Sequence, residues 1–338
     1  MRCAIVGMGR MGLRHLRIAR EEGFDIVGIV DRRRTALEEA KQAFSLSDDL
    51  LHEDAASLFE AQHPELAVIA TTAPAHCDLT LLAVRAGAKA VLCEKPMAVS
   101  LAQCDRMVEA CECAGARLAV NHQMRFMEQY VRPKAILQSE ALGGLSSVTV
   151  VAGNFGLSMN GTHYFEMFRY MTDEPPVQVA AWLSPEKLAN PRGPEFEDRA
   201  GAVRLATQSG KRFYLDADAA HGHGVSVIYA ARFGRVTIDE LAGTMQVVAR
   251  EEQYRSLPTS RYGMPWREES FRIAPADVIE PTRSVLRALL DGTDFPDGKV
   301  GRKAVEVLAA AYASDESGGR TIDLRNAATA RDRVFPWA

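Results

Sequence analysis

The stretch Cys3-Ala4-Ile5-Val6-Gly7-Met8-Gly9-Arg10-Met11-Gly12 decides how this chain folds. A short apolar run meets three glycines spaced G-x-G-x-x-G, and Leu13, Leu16 and Ala19 continue at helical spacing towards Gly23. The pattern predicts a strand, a tight turn and a helix N-terminus. Gly7 is expected to make the turn, Gly9 to let a pyrophosphate approach the backbone, and Gly12 to let helix and strand pack closely. Free N–H groups and a positive dipole end then face the phosphates, with Arg10 and Met11 inside the same loop. The alternative is a glycine-rich turn that binds no nucleotide. Against it, a second strand, Asp25–Val30, ends at Asp31, where an acid can bond a ribose 2′-hydroxyl. Asp31 favours NAD, because a carboxylate repels a 2′-phosphate, while Arg32, Arg33 and Arg34 leave NADP open.

The chain has 338 residues, which suits two domains, with 47% apolar and 25% charged residues, as in an ordinary soluble protein. A net charge of −4 gives no footprint for nucleic acid or an anionic membrane. No apolar run approaches the roughly 20 residues of a membrane span. Strand-like sequence from residue 3 leaves no room for a signal peptide, so a cytoplasmic protein is expected. The six cysteines, Cys3, Cys77, Cys93, Cys104, Cys111 and Cys113, lack the paired spacing of a zinc site. No metal is expected.

Outward from the glycine loop, strands and helices alternate to residue 120. Thr35 with Glu38, and Ser100 with Gln103, are capping-box patterns that open helices. Leu66–Ala70, Ala90–Cys93 and Arg117–Val120 read as buried parallel strands. The repetition predicts an α/β, doubly wound parallel sheet over residues 1–122, with ligands at the carboxyl ends of its strands. Beyond it, residues 123–338 read as an α+β domain with an open, mainly antiparallel sheet. Its strands are expected at Ser147–Ala152, Val177–Leu183, Ala202–Thr207, Lys211–Asp216, Val225–Ala231 and Arg235–Leu241. Helices are expected at Glu128–Ser139, His163–Met171, Thr282–Leu290 and Arg302–Ser314, the last able to pack back on the first domain. The proline- and charge-rich stretch Asn190–Asp198 reads as a loop.

Three loops carry candidate chemistry. Glu94-Lys95-Pro96 follows the fourth of these strands, so an ammonium stands at the mouth of the sheet, where burial would favour its neutral form. A surface Glu-Lys pair is the plain alternative. Thr71, Thr72 and His76 follow the third strand and could line the nicotinamide half of the site, or His76 could merely start the next helix. Asn121-His122-Gln123-Met124-Arg125 borders the cleft, with Gln123 and Arg125 as candidate substrate contacts. His221-Gly222-His223-Gly224 reads as a turn, because two histidines lack further ligands.

Together, the glycine loop, Asp31-Arg32, Thr72-Ala73-Pro74 with His76, Glu94-Lys95-Pro96, the His163…Arg169 segment and Ser317-Gly318-Gly319-Arg320 resemble the glucose–fructose oxidoreductase / inositol dehydrogenase (Gfo/Idh/MocA) family. The resemblance implies an NAD(P)-dependent oxidoreductase acting on a secondary alcohol or ketone of a sugar, nucleotide sugar or cyclitol. It implies Lys95 and His163 as catalytic groups, cofactor contacts that include Glu94 and Lys95, and a homo-oligomer through the second sheet. Many relatives carry an aspartate four residues before the histidine, where this chain has Met159. Methionine can neither take a proton nor orient an imidazole, and Asn160 can only hydrogen-bond substrate. The burden of acid–base work therefore shifts to Lys95. His163 at a helix start would be held neutral by the dipole. Reduction of a non-sugar carbonyl or imine, and a catalytically silent NAD sensor, are the two other readings of these residues.

Overall fold

Six short parallel strands build the first layer: β1 Arg2–Val6, β2 Asp25–Val30, β3 Leu51–His52, β4 Leu66–Ile69, β5 Ala90–Cys93 and β6 Arg117–Val120. In the computed structural model, which describes residues 1–153, 155–259, 265–274, 277–326 and 331–338, they run in the order β3-β2-β1-β4-β5-β6. The order reverses between β1 and β4, and that switch point opens a crevice at the carboxyl ends of the strands. Apart from Arg2 at the edge of β1, every residue of β1, β4 and β5 is buried, as a sheet covered on both faces requires. The linking helices are α1 Arg10–Glu21, α2 Arg34–Phe44, α3 Ala55–Gln62, α4 Ala73–Arg85 and α5 Leu101–Ala114.

Local sequence chemistry explains most helix ends. Gly23 follows α1 at φ +72°, and Gly115 caps α5 at φ +64°, both left-handed. The Ser100 hydroxyl accepts from the Gln103 N–H at 3.2 Å, so that cap forms as expected. The Thr35–Glu38 box does not form. The Asp31 carboxylate takes the Arg33 N–H at 2.9 Å, α2 starts at Arg34, and Glu38 pairs with Arg34 instead. Helix α4 begins at Ala73, so His76 lies within its first turns rather than starting it, and Pro74 stands in the first turn.

The second layer is a nine-stranded mixed sheet in the order β14-β13-β12-β11-β7-β10-β9-β8-β15. Its strands are β7 Leu145–Gly153, β8 Pro176–Lys187, β9 Arg199–Thr207, β10 Arg212–Asp218, β11 Ser226–Ala231, β12 Gly234–Asp239, β13 Thr244–Arg250, β14 Trp266–Arg272 and β15 Ile322–Asp323. All pairings are antiparallel except β7 with β10. Alternate residues such as Val148, Val150, Phe213, Leu215, Val227 and Tyr229 are buried beneath helix α7, Thr162–Thr172. A further helix, α6 Glu128–Leu137, leads into this layer.

The last two helices return to the first layer. Helix α8, Ile279–Asp291, buries Val285, Leu286 and Leu289 in the cluster that includes Cys3, Ile5, Leu16 and Leu92. Helix α9, Gly298–Glu316, packs on α5, β6, α7 and β8, so it touches both layers. A Cβ at Gly301 would stand 2.3 Å from Val120 Cγ2, which marks how closely α9 lies on β6.

Candidate active site

The glycine loop has the geometry a pyrophosphate needs. Gly7 turns at φ +94°, and a Cβ there would lie 2.6 Å from the Ala70 carbonyl oxygen. A Cβ at Gly12 would lie 1.7 Å from the Gly7 oxygen, so only glycine lets α1 sit this close to β1. Around Gly9 nothing lies within 4 Å of a Cβ position, which leaves the backbone open to a ligand. Gly9 caps α1 without a side-chain hydrogen bond, so the first-turn N–H groups of Arg10, Met11 and Gly12 keep their capacity for phosphate oxygens. Asp31 accepts the Met8 N–H at 2.8 Å, which fixes the end of β2 against the loop. Arg33 and Arg34 are engaged by Asp31 and Glu38, and Arg32 is exposed. The residues present fit a dinucleotide.

The loops after β4 and β5 are stitched together beside this cradle. Both ring nitrogens of buried His76 face carbonyls, Nδ1 to Pro96 and Nε2 to Thr71, each at 3.1 Å. Burial pushes its pKa down, so a neutral ring donates to one of the two. The ring thus holds the Thr71-Thr72 loop against the Lys95-Pro96 loop. Glu94 is buried too. Its Oε1 meets His15 Nε2 and accepts from Asn121 Nδ2, both at 2.8 Å. Burial raises its pKa, but His15, Asn121 and Lys95 outweigh that and bring it to about 2. The Glu94 carboxylate is therefore an ionised anchor within the protein.

Lys95 comes out of this anchor into the crevice. Burial lowers its pKa to about 8, with Arg192 and Arg10 pushing the same way and Glu94 and Asp198 opposing. Its Nζ donates to the Met159 carbonyl oxygen. Met159 lies on a single wide turn, Leu157–Gly161, with π-type hydrogen bonding. That turn hangs on Asp198: Oδ1 accepts from Ser158 N at 2.9 Å and Arg199 N at 3.0 Å, and Oδ2 from Met159 N at 2.9 Å. Asp198 is 1% exposed, and burial raises its pKa.

The same turn delivers His163, which is buried, with its ring edge-on to that of His122 at 5.6 Å between centroids. Burial, then the charges of Lys95 and His122, hold its pKa well below the usual histidine range. The ring is neutral as expected, but for another reason. Gly161 is itself helical, so the turn runs straight into α7 and His163 does not stand at a free helix start. Its Nδ1 is buried without a partner among the described residues, as are Gln123 Oε1 and Asn121 Oδ1. Asn160, partly exposed, sits on the turn beside Met159. Arg125 is held elsewhere: its guanidinium pairs with Asp294 at 2.7 Å and Glu166 at 4.0 Å and lies over the Tyr170 ring.

Sequence reasoning missed Asp198 and Arg192. Both lie in the stretch read only as a loop, and the signal available was charge and proline on a connection between strands, where functional side chains concentrate.

Residues 1–122 match the family described as an oxidoreductase family with an NAD-binding Rossmann fold. D-apiose dehydrogenase from Paraburkholderia graminis is 27% identical, over 96% of this chain and 89% of its own length. Inositol 2-dehydrogenase 2 from Saccharopolyspora erythraea is 26% identical, over 80% of this chain and 82% of its own. Among solved structures, an oxidoreductase from Agrobacterium radiobacter in complex with NAD+, L-tartaric acid and magnesium superposes with a TM-score of 0.80. It is 20% identical, covering 96% of this chain and 98% of that one, a likeness of fold. The Rossmann sheet and the open cradle at Gly9 thus agree with the match of residues 1–122 to the NAD-binding Rossmann fold of the Gfo/Idh/MocA oxidoreductases, and the chain is similar to dehydrogenases of that kind over most of its length.

Proposed function

We propose that the protein oxidises, reversibly, a secondary alcohol of a sugar, nucleotide sugar or cyclitol, with Lys95 as the base. The observation that carries this reading is the Lys95 amine beside the dinucleotide cradle with its pKa brought to about 8, close to working pH. Relatives named for apiose and inositol, matched over most of their length, support the substrate class.

The first-turn N–H groups after Gly9, together with Arg10 and Met11, hold the pyrophosphate, and Asp31 holds the adenosine ribose. Thr71, Thr72 and the backbone of Glu94 and Lys95 border the nicotinamide end. Bound NAD supplies the hydride acceptor. Neutral Lys95 takes the hydroxyl proton as the C–H bond of the same carbon breaks, so one proton and one hydride leave the alcohol. His163, neutral and short of a partner on Nδ1, orients the reacting hydroxyl, while Asn160 and Gln123 hold neighbouring ones. We read Arg125 as a tie to Asp294 and Glu166 rather than the substrate contact its position suggested. Asp198, just ahead of β9, brings a carboxylate to the turn that carries Met159, but its oxygens are taken by backbone N–H groups, so the acid–base work stays with Lys95.

The domain boundary stays at residue 122 in this reading, with 123–338 as substrate and oligomerisation domain. The protein acts as a homo-oligomer in the cytoplasm. No helix among the described residues is long and apolar enough to cross a membrane.

The test is single-turnover hydride transfer by Lys95→Ala, run over sugars, sugar nucleotides and cyclitols with NAD and NADP. The variant is expected to bind NAD within about threefold of wild type and to lose at least about 100-fold in the hydride step. Unchanged turnover removes Lys95 from the mechanism. Tight NAD binding with no polyol turned over by the wild type overturns the sugar reading.

A further inference from the structure

The segment between β8 and β9 ends at the crevice, and it carries hydrogen-bond donors that no partner among the described residues satisfies. Its base is closed by Leu188 N donating to the Asp198 oxygen at 3.0 Å. Glu197 N donates to the Pro336 oxygen at 2.7 Å, which fastens the far side. Asp198 itself is bonded to the turn whose Met159 oxygen receives Lys95. Between these anchors the chain turns at Asn190, whose Oδ1 accepts the Arg192 N–H at 3.0 Å. That contact uses the amide's acceptor and leaves its donor end, Asn190 Nδ2, buried with no partner among the described residues. Arg192 Nη1 is in the same condition.

The charges around Arg192 cannot remedy this. It lies within electrostatic reach of Glu94, Arg10 and Asp198, and Lys95 feels its charge. Glu94 is already engaged by His15 and Asn121, and Asp198 by three backbone N–H groups. Two cations, Arg10 and Lys95, stand with it on the crevice side. A cluster rich in donors and short of free acceptors calls for a ligand that brings several oxygens and negative charge. Guanidinium geometry suits a carboxylate or phosphate, which it can hold with two parallel bonds.

We propose that Arg192 and Asn190 form an anion-binding arm over the crevice, which grips a carboxylate or phosphate in the working complex. Two molecules could bring that group: an acidic sugar substrate, in which case the arm selects sugar acids or sugar phosphates over neutral polyols, or the cofactor through its pyrophosphate. The first case rests on the sugar-oxidising reading above. The anion site itself does not.

Arg192→Gln, Arg192→Lys and Asn190→Ala separate these sources. NAD affinity is read by quenching of protein fluorescence. Anion affinity is read by calorimetric titration of the NAD-loaded protein with D-glucuronate and with inorganic phosphate, against D-glucose as the neutral control. Where the substrate supplies the anion, Arg192→Gln lowers the affinity for glucuronate or phosphate at least about 10-fold, Arg192→Lys less, and the acid-to-neutral ratio of kcat/KM falls in parallel. Where the cofactor supplies it, the NAD dissociation constant rises at least about 10-fold in Arg192→Gln and no preference among the probes changes. Affinities for NAD, glucuronate and phosphate all within twofold of wild type in Arg192→Gln overturn the proposal. Should no sugar turn over at all, the sugar reading fails while the titrations still decide the anion site.

Discussion

The three glycines of one loop make separable demands, and substitution tells them apart. Gly9 has φ −75° and ψ −172°, which alanine adopts freely, and its Cβ would enter open space. Gly9→Ala is therefore expected to fold with an unchanged melting temperature and to bind NAD at least about 10-fold more weakly, because the methyl occupies the path of the pyrophosphate. Gly12→Ala drives a methyl to 1.7 Å from a backbone oxygen, so it is expected to lose at least about 3 kcal/mol of stability or fail to fold. Thermal melts beside fluorescence titrations check both; loss of stability in Gly9→Ala contradicts the assignment. Lys95 sets the pH dependence in the same residue-by-residue way. A base with a pKa near 8 is protonated below it, so alcohol oxidation is expected to rise with pH to a plateau above about 8. His163 is neutral across that range and adds no inflection near the ordinary histidine value. His163→Gln is then expected to lower kcat by about 10- to 100-fold without moving the basic limb, as a pH series of pre-steady-state rates would reveal.

One element, the turn Leu157–Gly161, joins the two halves of the site, and Asp198 shapes it from the end of the segment between β8 and β9. Asp198→Asn would turn an amide N–H₂ towards backbone donors and remove a negative charge near Lys95. The expected results are a loss of about 1–3 kcal/mol in stability and a basic limb moved below about 8, since the charge that favoured the ammonium is gone. Arg192→Gln should move the limb the other way, because Arg192 pushes the lysine pKa down. Opposite shifts mark electrostatic positioning; two variants that merely loosened the fold would move it alike. This element also marks where sequence reading ended. Gly7, Gly9, Gly12, Asp31 and the Ser100 cap were legible because turn, approach and cap are local requirements written within a few residues. Lys95 was legible because it follows a strand end. Asp198 lies 39 residues from Met159 and Arg192 is further still from Arg10, so only the pairing of β8 with β9 brings them to the crevice. Strand β3, two residues long, and the edge strands β14 and β15 were missed for a related reason, and β13 beside β14 was missed with them. Two residues carry no periodicity, and Trp266–Arg272 is nearly all exposed, with no apolar face to read.

At the scale of the whole molecule, the two faces of the second sheet are unequal. One is buried under α7 and α9. On the other, Tyr214, Thr149 and Ile228 lie in register across three adjacent strands, with Trp182 two strands away on the same side. Tyr214 is 38% exposed, Ile228 40% and Trp182 56%, a large apolar area for a surface that meets only water. A second copy applying the same face would cover it by a two-fold operation, in which each residue meets its partner's equivalent region. The crevice lies on the opposite, helix-covered side, so association there leaves cofactor entry unobstructed. Sedimentation velocity is expected to give a dimer or a larger even-numbered assembly. Ile228→Asp combined with Tyr214→Asp should dissociate it, since like charges would be buried unpaired at the centre of the contact. Because neither side chain touches the glycine loop or Lys95, the dissociated protein should bind NAD with wild-type affinity. A wild-type protein that sediments as a monomer at tens of micromolar would rule out this face as an interface between copies.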